Sequence, residues 1–150
     1  MRLFNFGLLI MKMILVSILA LGALGCSPSE SQLREKSFRA AANDYLNSIP
    51  DKIASCKRME QSQWCEKMAR ELKSSCSDVP DIRYDANLKF VHDHMKLIHE
   101  NLSLIAGNYD FISRVGPAQD AKKQEWRERI ATGYSDIEYS TNVALKRLRK

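Results

Sequence analysis

From Tyr84 to Ile105 the apolar residues Tyr84, Leu88, Val91, Met95, Ile98, Leu102 and Ile105 follow one another at spacings of four and three without a miss. That period keeps all seven on one side of an α-helix and would scatter them over both faces of a strand, so the segment is read as a helix with a packing seam. The same period runs through most of the chain. Leu33, Phe38, Ala41, Ala42, Tyr45 and Ile49 form a stripe that ends ahead of Pro50, which disfavours helix in the residue before it. Ile53, Cys56 and Met59 continue the pattern, which then shifts phase to Cys65, Met68 and Leu72. The polar Gln61-Ser62-Gln63 between them predicts a break, with Ser62 as the new cap. Asp78-Val79-Pro80-Asp81 reads as the start of the Tyr84 helix and Gly107 as its end. A last stripe holds Trp126, Ile130, Tyr134, Ile137, Ala144 and Leu148, with Gly133 and the box Ser135 to Glu138 expected to kink or interrupt it. The pattern predicts an all-α fold, a small antiparallel bundle of about four helices.

Ahead of that bundle, residues 1–25 contain no acid, and Lys12 precedes an apolar run from Met13 to Ala20. Gly22, Ala23 and Gly25 then lead into Cys26. As a helix, residues 13–25 would span roughly 20 Å, short of the roughly 30 Å hydrocarbon core, so the stretch reads as a removed signal and not as a membrane span. Met11 or Met13 opens directly on this pattern, and residues 1–10 would only lengthen it. The box Ala23-Leu24-Gly25-Cys26, with its flanks from 11 to 30, resembles the signal of bacterial prolipoproteins, whose box ends at the cysteine that becomes acylated. The resemblance implies lipidation of Cys26 and, with Ser27 behind the cysteine, a place on the periplasmic face of the outer membrane. The expected organisation is a signal at 1–25, a lipidated tether at 26–32 and a helical domain at 33–150.

The whole chain carries a formal net charge of +5, but residues 26–150 keep 21 basic against 18 acidic residues, a net +3. So small an excess does not point to nucleic acid as a partner. ALKRLRK at the C-terminus suits a helix end, where cations complement the macrodipole.

With Cys26 acylated, Cys56, Cys65 and Cys76 remain, an odd number in an exported domain. On one continuous helix Cys56 and Cys65 would lie about 13 Å apart and Cys65 and Cys76 about 16 Å, beyond the roughly 7 Å reach of a disulfide. A bridge therefore needs a turn, and the phase shift at residues 61–63 is the one signal for it. Cys56–Cys65 flanks that seam and ranks first, ahead of Cys56–Cys76 and Cys65–Cys76; three buried, reduced thiols are the alternative. The spacings offer no C-x2-C pair for zinc.

HDHMKLIHE, residues 92–100, holds all three histidines. His92 and His99 share one side of the helix with Met95 between them, about 10 Å apart along the axis, too far to grip one ion without another helix. His92-Asp93 looks like the motif of HD-class phosphohydrolases, yet no histidine precedes position 92 to complete that family's set. Serine-elbow, phosphate-loop and H-E-x-x-H motifs do not occur. The expectation is a non-enzyme with no cofactor and no metal, His92 and His99 being the only candidate ligands. It would be anchored through Cys26 and act by contact with an envelope protein, as an accessory to a secretion, pilus or conjugation apparatus. The alternative is a periplasmic domain that binds a ligand or metal through His92, His99 and carboxylates of a neighbouring helix. An exposed apolar groove would favour the first, and a closed pocket of converging polar groups the second.

Overall fold

A computed structural model describes residues 28–150 apart from 81, 83, 84, 117 and 118. Signal, lipobox and Cys26 lie outside the described residues. The chain divides into two compact units, 1–33 and 34–150, and the core and surfaces below belong to the second. Four helices follow one another: α1 Glu30–Met59, α2 Ser62–Ser77, α3 Ala86–Arg114 and α4 Asp120–Leu148. The fold is the all-α bundle that the periodicity predicts. Among the described residues no helix is long and apolar enough to cross a membrane.

Contacts between helices give the topology. Lys52 meets Glu71 and Cys56 meets Cys65, so α1 and α2 run antiparallel. Arg39 donates to the Leu148 carbonyl and Lys57 reaches Glu138, so α1 and α4 are antiparallel too. Phe111 lies against Trp126 and Arg147 against Phe90, which sets α3 against α4 in the same way. The core runs between them, with Phe38, Leu46, Ile49, Leu72, Met95, Ile98, Leu102 and Ile137 almost wholly buried. Every described member of the Tyr84–Ile105 seam is in that core. Tyr45 donates from its hydroxyl to the Met95 carbonyl at 2.7 Å, which satisfies a buried polar tip and ties α1 to α3. Burial holds the Tyr45 hydroxyl far above the ordinary phenol pKa.

Several helix ends differ from those expected. Ser29 caps α1: its Oγ accepts from the Gln32 N–H at 3.3 Å, and Gln32 Oε1 accepts from the Ser29 N–H at 2.9 Å. This is a reciprocal capping box, and it starts the helix at Glu30, inside the expected tether. Pro50 does not end α1. It is exposed within the helix, while Leu46, Ile49, Ile53 and Cys56 bury one unbroken stripe across it. Packing outweighs a local penalty of about 3 kcal/mol. Pro50→Ala should therefore stabilise the fold by about 1 to 3 kcal/mol, part of the gain being offset by the freer unfolded chain. Urea unfolding checks this, and a loss of stability would mean that the ring itself is packed.

The break between α1 and α2 lies where the phase shift put it. Glu60 takes a left-handed φ of 48° with its N–H on the Cys56 carbonyl, and Gln61, not Ser62, stands at the cap position without a side-chain hydrogen bond. α3 starts later than expected, because Asp85 Oδ1 accepts from the N–H groups of Asn87 and Leu88 at 2.7 and 3.1 Å, whereas Asp78 ends α2. It also runs past Gly107 to Arg114, since Tyr109 and Ile112 extend its packed stripe and outweigh the roughly 1 kcal/mol cost of a helical glycine. Gly133 leaves α4 continuous, and the Ser135–Glu138 box lies in mid-helix. A β-carbon at 133 would stand 2.9 Å from Ile105 Cγ1, so this glycine allows α3 and α4 to approach closely.

Candidate functional site

The seam at 61–63 brings Cys56 and Cys65 to a Cα separation of 4.8 Å, and they form the disulfide. The Tyr134 hydroxyl donates to Cys56 Sγ at 3.0 Å, so α4 also packs on the bridge. Cys76 is the free cysteine among the described residues and is buried near the end of α2.

His92 and His99 line an open groove of about 880 Å³ between α2 and α3, together with Lys73, Cys76, Val79 and Lys96. The structure thus places the two histidines on one side as the spacing implies, with Met95 buried between them. Their chemistry is muted. Burial pushes the Cys76 thiol above its ordinary pKa, with Lys96 opposing weakly, and a protonated thiol is a poor nucleophile. Burial also lowers the pKa of His99, while Glu100 and the Met95 carbonyl oppose the shift more weakly. Among the described residues no three His, Cys, Asp or Glu side chains come together to hold a metal ion. Asp93, adjacent to His92, is held below the usual carboxylate range chiefly by its hydrogen bond from Lys89 at 2.5 Å.

The His99 shift has a consequence for stability. With a folded pKa below the unfolded value of about 6.5, the unfolded chain binds the proton more readily, so stability is full above about pH 6.5 and falls as the pH drops through the folded value. His99→Gln should flatten the fall in Tm between pH 7 and pH 5. An unchanged pH profile in that variant would mean that His99 titrates alike in both states.

The second surface was not singled out from sequence. Phe90, Leu97 and Leu104 are 37 %, 46 % and 65 % exposed on α3, at intervals of seven residues. That spacing sets them on one line along the helix, beside the buried seam rather than within it. His94, one turn on from Phe90 and half-buried, sets its ring 4.3 Å from that of Phe90, and the Arg147 guanidinium from α4 sits 5.4 Å above the Phe90 ring. His94 Nδ1 and Arg147 Nε are both buried without a hydrogen-bond partner among the described residues. At the other end, Leu104 borders a shallow depression shared with α4, lined by Glu125, Glu128, Asp136 and Arg129. One line of apolar side chains thus has a cationic residue at one end and mostly carboxylates at the other. The signal was available in the sequence as Phe90-Leu97-Leu104, but periodicity alone cannot say which of two apolar lines on a helix is covered. No protein-family model, no curated protein and no solved structure matches this chain.

Proposed function

We propose that this chain is a non-enzymatic lipoprotein, anchored at the outer membrane through Cys26, that works by protein contact through the α3 face. The observation that carries the contact reading is the exposed line Phe90, Leu97 and Leu104, since large apolar side chains in a row on a helix mark interaction surfaces. The anchor rests on the lipobox residues Ala23-Leu24-Gly25-Cys26. Diacylglycerol and an amide-linked acyl chain at one cysteine would supply the several chains that stable anchoring requires. Within the cell envelope such a protein suits an accessory role in a secretion, pilus or conjugation apparatus. The groove at His92 and His99 supports the ligand-binding alternative less well, being open and lacking three converging metal ligands among the described residues.

Two measurements test the proposal. Cys26→Ser should abolish incorporation of a clickable palmitate and leave a larger precursor, and equal labelling would remove the anchor. A photo-crosslinking residue at Leu104 should give discrete adducts in cells, whereas one at the exposed Asn43 of α1 should not. Identical crosslinking patterns at both positions would remove the α3 face as the contact surface.

A further inference from the structure

Resting on the contact reading above, we infer that the occupant of the α3 face is a second copy of this chain, packed antiparallel about Leu97. The line Phe90, Leu97 and Leu104 is evenly spaced, so a two-fold axis through Leu97 sets Leu97 against Leu97 of the other copy and Phe90 against its Leu104. Symmetry of this kind is the commonest solution for soluble homo-oligomers, because one self-complementary patch closes the assembly.

Charge chooses the direction. The Phe90 end carries Arg147 over the aromatic ring, with Lys146 in the same last turn of α4 and Arg149 and Lys150 after it. The Leu104 end carries Glu125, Glu128, Asp136, Glu100 and Asp110 against Arg129 and Arg114, which pair with Glu125 and Asp110. An antiparallel pair brings each basic end onto the other copy's acidic end, twice. A parallel pair would stack basic on basic and acidic on acidic, which costs rather than contributes energy.

The available area is adequate. A 29-residue helix is about 43 Å long, and two packed helices are about 20 Å wide, giving a face of roughly 850 Å². A stable interface takes about 800 Å² from each partner. The close approach of α3 and α4 at Gly133 makes that face a joint one, and the exposed Tyr139 of α4 adds a further large side chain to the surface of that helix.

Cysteine crosslinking of the full chain in its own membrane, oxidised with copper phenanthroline and compared with the unsubstituted chain, tests the register. Leu97→Cys alone should yield a covalent homodimer. Phe90→Cys and Leu104→Cys should each stay monomeric alone, at least tenfold less crosslinked, and should link to each other when the two chains are co-expressed. As a readout without cysteines, Leu97→Asp in mild detergent should halve the mass seen by light scattering. Homodimers formed equally well at all three positions would mean a parallel pair and would overturn the inference. Monomers at all three positions, with discrete Leu104 photo-adducts to a chain of different mass, would overturn the second copy and leave the contact reading standing. Monomers without any Leu104 adduct would overturn both.

Discussion

Replacing Cys56 and Cys65 together by alanine lowers the unfolding free energy by about 2 to 3 kcal/mol, since the bridge closes a loop of about ten residues and restrains the unfolded chain. The cost falls on a turn with little else to hold it. Glu60 is in the left-handed region, where a residue other than glycine is disfavoured by about 1 to 2 kcal/mol, and Gln61 caps α2 without a side-chain hydrogen bond. Loss of the bridge also removes the sulfur that accepts from the Tyr134 hydroxyl, which keeps Tyr109 as a hydrogen-bonding neighbour. The double variant should therefore loosen α2 first, and hydrogen exchange should rise there before it rises in α3. Cys76 gives an independent readout. It is free but buried, so an alkylating agent should modify it slowly in the native protein and rapidly in urea. Mass spectrometry without reductant should find Cys56 joined to Cys65. Unchanged stability in the double variant would mean that the turn holds without the bridge.

Ile98→Ala should cost about 2 to 5 kcal/mol, whereas Leu97→Ala, one residue away, should change stability by less than about 0.5 kcal/mol. Ile98 is completely buried at the centre of the α3 seam, and removing its side chain beyond the β-carbon loses transfer energy and leaves a cavity that the surrounding helices cannot close. Leu97 points to the outside, with 46 % of its surface exposed in the isolated chain. The contrast separates what holds the fold from what meets a partner. Denaturant unfolding at low protein concentration, where self-association does not contribute, measures both. A large loss for Leu97→Ala under those conditions would mean that the outer line on α3 is part of the core.

The helical seam of α3, the two tyrosines of the core and the break at residues 61–63 were legible because each depends on side-chain period alone, and period survives whatever the neighbours do. That break ranked Cys56–Cys65 first among three pairings, and the packed structure forms it. Pro50 does not end α1 because Ile53 and Cys56 continue the stripe in phase, and their burial exceeds the cost of one lost hydrogen bond. Ser29 and Gln32 form a capping box within a Ser-rich stretch whose composition equally suits a tether. Gly107 and Gly133 look alike in sequence, yet the first faces open space and the second faces Ile105, a difference that exists only once α3 and α4 are packed. The apolar period thus determined by itself an all-α bundle with a break at residues 61–63, since period follows from the geometry of one chain segment, whereas the cysteine spacing only ranked the pairings across that break. Which face of α3 is buried, which is left open with opposite charges at its ends, and how deeply Cys76 and His99 are desolvated were decided by tertiary packing, because exposure is a property of neighbours and not of the residue.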